Sequence, residues 1–116
     1  MSMNPKERTL PALPPAYQAW VAQLGRTGWI CQGTVVSRTL RRRVQGHWID
    51  KGPYYMWTCK VGGKTVCRAV SREQYLVLKQ VIAANRALDR TLARMRALTL
   101  ETILKKLPGV KSRKSL

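Results

Sequence analysis

One histidine, three cysteines and five carboxylates are all that these 116 residues offer to acid–base, nucleophilic or metal chemistry. Cys31, His47, Cys59 and Cys67 have the right chemistry for one zinc set, but they are 16, 12 and 8 residues apart with no CxxC knuckle. Buried, inert thiols are the expected role of the cysteines. His47 reads as a loop residue, and the scattered carboxylates form no pair for general acid–base work. No nucleophile–base couple can be assembled from neighbouring residues, so no catalytic residue, metal or cofactor is expected.

The chemistry the chain does supply in excess is cationic. Lys and Arg number 22 against 5 Asp and Glu, a formal net charge of +17. Self-repulsion makes such an imbalance a cost to the compact state, and its usual reason is a polyanionic partner. Candidate contacts are Arg38, Arg41, Arg42 and Arg43 in one stretch, then Lys60, Lys64 and Arg68 around a tight turn. Arg86, Arg90 and Arg94 fall, together with Arg72 and Lys79, within an arc of about 80° on a helix turning 100° per residue. Arginine suits phosphate because its planar fork binds two oxygens at once. Trp29, Trp48, Tyr54, Tyr55 and Trp57 are interleaved with these cations. Most are expected in the core, with Trp48 the best placed to be exposed.

Elements must position these groups. The run from Pro15 to Leu24 has proline in the first turn and Tyr17, Trp20, Val21 and Leu24 at helical spacing, which predicts a short helix. Trp29 to Thr39 is β-branched and predicts a strand, with Gly33 as a bulge and a loop or strand extension from Leu40 to Gly52. Tyr54–Val61 and Lys64–Val70 flank Gly62-Gly63, whose freedom at positive φ suits a two-residue hairpin turn. That turn pairs Val61 with Lys64, Cys59 with Val66, Trp57 with Arg68 and Tyr55 with Val70. Tyr55, Trp57, Cys59, Val61, Val66 and Val70 then share the core face. Tyr54, Met56, Thr58, Lys60, Thr65, Cys67 and Ala69 face solvent or a ligand.

Ser71 with Gln74 three residues on predicts a capping box, then a long helix from Arg72 to about Leu98. Thr99 reads as a fresh cap for a second helix, Leu100–Leu107, which Pro108-Gly109 ends. Along the long helix Leu78, Val81, Asn85, Leu88, Leu92 and Met95 step by three and four. This stripe either packs on the sheet or forms a coiled-coil seam in which Asn85 sets register. The expectation is therefore an α+β fold: a small three-stranded antiparallel sheet with an N-terminal helix and a long C-terminal helix. One domain is expected over 15–107, between a flexible tail or strap at 1–14 and a basic disordered tail at 108–116.

No apolar run approaches the roughly 18–20 residues of a membrane span, and the first twenty residues lack the apolar core of a signal peptide. The expected location is cytoplasmic, with nucleoid association if the partner is DNA.

The stretch GPYYMWTCKVGGKTVCRAVSREQY, with the long helix and its RMRALTLE end, resembles a family of small uncharacterised prokaryotic proteins often encoded near mobile elements. The likeness covers about residues 29–104. Members often hold closely spaced cysteines before GPYY; here SRTLRRRVQGHWIDK has none, so no metal role carries over. More loosely, strand–GK–strand–helix with a basic turn is similar to the three-stranded arm-binding domains of tyrosine recombinases, which lay a sheet in the DNA major groove. The resemblance implies a fold and an accessory role to a mobile element or phage.

Together these readings lead to a non-enzymatic nucleic-acid-binding protein, DNA ahead of RNA, acting through a basic sheet edge and an arginine-rich helix face. Six to ten neutralised phosphates would lower affinity by about 10³–10⁵ between 50 and 200 mM salt. The alternatives are an interaction module whose long helix pairs with itself or a protein partner, and an RNA- or ribosome-binding protein.

Overall fold

The computed structural model describes residues 10–110; the expected tails at 1–14 and 108–116 lie largely outside that range. Five elements follow one another: α1 (Pro15–Leu24), β1 (Thr34–Val44), β2 (His47–Val61), β3 (Lys64–Val70) and α2 (Arg72–Lys106). The strands form one antiparallel sheet in the order β1-β2-β3, so the fold is α+β as expected.

The β2–β3 hairpin forms in the predicted register, from Val61 opposite Lys64 to Tyr55 opposite Val70. Gly62 and Gly63 take φ of 58° and 81°, the positive values that match turn twist to strand twist. Tyr55 stacks on Tyr75 of α2 with ring centroids 4.7 Å apart, and Tyr55, Trp57 and Cys59 are all half-buried. The N-terminal part of α2 therefore packs on the predicted core face near Tyr55, Trp57 and Val70, whereas Val61 and Val66, expected in the core, lie beyond it near the turn and are exposed.

The predicted strand from Trp29 to Thr39 is corrected at its start, since β1 begins at Thr34, and it runs on to Val44 as the strand extension that was one of two expected alternatives. The backbone N–H of Cys31 donates to the carbonyl of Val81 on α2 at 3.2 Å, so this segment follows the helix instead of the sheet. Gly33 is no bulge either. It turns the chain at φ 107°, and a Cβ there would stand 2.6 Å from both Trp57 Nε1 and the Thr58 carbonyl. The bulge lies opposite Thr39, between the pairs Arg38–Tyr54 and Leu40–Lys51, where β2 inserts Gly52-Pro53. This peptide bond is cis and Gly52 has φ 127°.

A second hairpin turn, Gln45-Gly46 with φ of 50° and 82°, joins β1 to β2. Of the two alternatives for Leu40 to Gly52, loop or strand extension, the paired strand is the one found, and His47 and Trp48 belong to β2 instead of a loop.

Ser71 caps α2 as predicted: its Oγ accepts from the Gln74 N–H at 3.1 Å, and Gln74 Oε1 accepts from the Ser71 N–H at 2.9 Å. The predicted break at Thr99 does not occur. Its hydroxyl donates to the Met95 carbonyl at 2.8 Å, which satisfies it within the helix and removes the incentive to cap. α2 continues unbroken to Lys106.

The region expected as one domain divides into two compact units, and α2 runs through both. One unit is Thr27–Leu88, holding the sheet and the first half of α2, with Ile82 buried. The other is built from the described parts of 1–26 and 89–116, with Thr91 and Met95 buried. In this second unit Leu10–Pro14 form a strap, lining a cleft with Tyr17, Thr99, Thr102 and Ile103. Gln18 Nε2 donates to the Leu13 carbonyl at 2.9 Å and ties the strap to α1.

Candidate nucleic-acid interface

β3 pairs only with Tyr55–Val61. On the far side of the bulge, among the described residues, β1 and β2 pair only with each other, and residues 40–51 form a two-stranded ribbon. Arg41, Arg42 and Arg43 stand opposite Asp50, Ile49 and Trp48. Successive side chains alternate between faces, so Arg41 and Arg43 share one face with Trp48 and Asp50. Their guanidinium carbons lie 5.5 and 5.8 Å from the Trp48 ring centroid, within cation–π range. Arg41 Nε also reaches Asp50 Oδ1 at 3.6 Å, an exposed pair of little energetic weight. Arg42 belongs to the other face with Leu40, Ile49 and Lys51. All of 40–51 is exposed, and Trp48 keeps 59% of its surface open.

The remaining predicted contacts do not join this cluster. The cations were expected at one edge of the sheet, but a meander puts consecutive turns at opposite ends of its central strand. Lys60 and Lys64 flank the Gly62-Gly63 turn, up to roughly 40 Å along β2 from Arg43 at about 3.3 Å per residue. Lys64 and Arg68 lie on β3, the opposite edge from β1. Arg68 lines a cleft with Trp57, Glu73 and Leu78 on the helix side of the sheet. Arg38 is on the other side, level with Tyr54 at the root of the ribbon. Arg86 is exposed on α2 in the sheet-bearing unit, and Arg90 and Arg94 are exposed in the other unit. Lys51, absent from the sequence-based set, joins the ribbon through its pairing with Leu40.

The aromatic residues divide by role. Tyr55 and Trp57 pack inward, and the Trp57 indole donates to the Gln32 carbonyl at 2.9 Å. Trp29, Trp48 and Tyr54 are open, Trp29 the most at 88%. Cys59 lies opposite Val66 and Cys67 opposite Thr58, so the two thiols point to opposite faces, as the two-residue turn requires. Among the described residues no three of His, Cys, Asp and Glu come together as metal ligands, and no helix is long and apolar enough to cross a membrane.

The helix stripe has cover within the chain. Leu78, Val81, Asn85 and Leu88 are half-buried in the sheet-bearing unit; Leu92 is half-buried and Met95 buried in the other.

A groove that starts on the sheet face opposite Tyr55 and Trp57 and reaches round to the β3–α2 junction was left open by sequence reasoning. Val36, Leu40, Pro53, Tyr54, Met56 and Ala69 line this groove of about 580 Å³ across all three strands, with Arg38 and Arg72 also on its wall. The alternation of Tyr54, Met56 and Ala69 was legible. The contribution of Val36 and Leu40 needed the β1–β2 register.

In comparisons with family models, curated proteins and solved structures, the chain matches none.

Proposed function

We propose that this protein binds duplex DNA without catalysing a reaction, with the ribbon at residues 40–51 as the contact element. The supporting observation is the concentration of Arg41, Arg42, Arg43 and Lys51 on a two-stranded projection open on both faces. Such a ribbon fits the B-DNA major groove, which is about 12 Å wide. Cations on both faces let one ribbon address the phosphates on either side of the groove while its face meets base edges. Stacking on Trp48 limits the rotamers of Arg41 and Arg43 and lowers the entropy lost on contact. Arg38 continues the basic line at the ribbon root. Lys60, Lys64 and Arg68 are too far along the sheet to share this contact, and Arg86, Arg90 and Arg94 on α2 are not counted in it. Service to a mobile element or phage rests on the family resemblance alone.

Anisotropy titration of a labelled 12-bp duplex tests this reading. The combined variant Arg41→Ala/Arg42→Ala/Arg43→Ala should lower affinity at least tenfold and reduce the salt slope by about 2.7, at 0.9 per phosphate contact. The variant Lys60→Ala/Lys64→Ala should change affinity less than about threefold, as the loss of distant contacts does. Unchanged affinity in the triple variant overturns the ribbon. Tighter binding of structured RNA than of duplex DNA transfers the function to RNA.

A further inference from the structure

The groove beside the ribbon is not explained by phosphate binding alone, because most of its wall is apolar, with Arg38 and Arg72 as its cations. Val36, Leu40, Pro53, Met56 and Ala69 come from three strands and meet Tyr54 beside them. Val36, Leu40, Tyr54 and Met56 each keep 39–51% of their surface exposed. A concentration of half-open apolar side chains on one face is characteristic of a binding site. Its volume, about 580 Å³, lies in the range of sites that enclose a few side chains.

Charge narrows the occupant. Arg38 and Arg72 are on the groove wall and no carboxylate is. The two acidic residues of this unit are turned elsewhere: Asp50 pairs with Arg41 on the ribbon, and Glu73 lines the cleft with Trp57 on the helix side. A second copy of this chain would bring arginines against arginines under a net charge of +17 on each molecule. An unstacked base finds one open aromatic ring here, Tyr54, since Tyr55 is engaged with Tyr75. Aliphatic walls with a methionine suit Leu, Ile or Phe side chains better than a base that needs stacking platforms.

We propose that this groove docks a short acidic segment of a protein partner, with two or three apolar side chains seated between the strands and carboxylates on Arg38 and Arg72. The site shares Arg38 and Leu40 with the ribbon and its root but includes none of Arg41, Arg42 and Arg43, so it can be tested apart from them.

The test compares two synthetic 12-residue peptides of equal negative charge. The first carries Leu and Phe at three- and four-residue spacing; the second has serine at those positions. A +17 protein attracts both, so the ratio of their affinities is the readout. The first peptide should bind at least tenfold more tightly, with amide shifts concentrated at Val36, Leu40, Met56 and Ala69. Met56→Glu and Leu40→Glu, both at exposed positions, should each bring the ratio to near one. Unchanged amide signals at Tyr75 and Ile82 on α2 show that the fold is kept. Arg41→Ala/Arg42→Ala/Arg43→Ala should leave the ratio unaltered. Equal binding of the two peptides, or a ratio insensitive to both glutamate substitutions, overturns the proposal. So does a twelve-nucleotide oligothymidylate that shifts the same four amides and displaces the first peptide, which would make the groove a base pocket.

Discussion

Gly33 and Trp57 show how one contact sets the start of the sheet. The indole lies so close to Gly33 that a methyl group cannot enter without moving Trp57 Nε1 or the Thr58 carbonyl, both 2.6 Å from a Cβ at that point. The φ of 107° adds backbone strain for any other residue. Gly33→Ala should therefore cost at least ~2 kcal/mol, read as a lower denaturation midpoint followed by tryptophan fluorescence. Trp48 is the opposite kind of tryptophan, open and flanked by two guanidinium groups. Trp48→Ala should leave the denaturation midpoint within the error of a surface change, about 0.5 kcal/mol. It should weaken duplex binding several-fold by freeing Arg41 and Arg43. Sequence alone had marked Trp48 for exposure and Gly33 for a backbone irregularity. Which side chain stood against Gly33 depended on Trp57, brought there from 24 residues away.

At the level of elements, the two hairpins explain why one was legible and the other was not. Gly62-Gly63 supplies both positive φ values, and the strands around it have one packed face, so turn chemistry and alternation agree. Gln45-Gly46 offers only one residue suited to positive φ. The ribbon is solvated on both faces, so Arg41-Arg42-Arg43 shows no alternation to read. Gln45→Asn should stabilise the ribbon by about 0.5–1 kcal/mol, because asparagine tolerates the left-handed region better. Slower amide exchange at Val44 and His47 is the measurement. The capping box at Ser71 was readable because it is wholly local; Ser71→Ala should cost about 1 kcal/mol. Thr99 misled for a local reason too: the same hydroxyl can cap a new helix or bond back to the carbonyl four residues before it, and here it does the latter.

For the whole molecule the relevant quantity is how many of its cations act together. Arg38, Arg41, Arg42, Arg43 and Lys51 on the β1–β2 arm would neutralise five phosphates, a salt slope of about −4.5 and a fall of roughly 500-fold between 50 and 200 mM salt. A slope shallower than about −2 would contradict use of the arm, and a steeper one would bring the helix arginines into the contact. Composition and pattern were sufficient for the α+β class, the β2–β3 register and the faces of that hairpin, and the charge total is what motivates the proposed polyanionic partner. These depend on charge totals, on period-two alternation and on residues within a few positions of one another. Only the tertiary structure decided that the basic residues of the sheet separate to its two ends. It likewise decided that 40–51 project as a ribbon and that an apolar groove opens beside them. Each of those follows from the pairing of β1 with β2, whose turn chemistry is weak and whose exposed faces leave no hydrophobic period in the sequence.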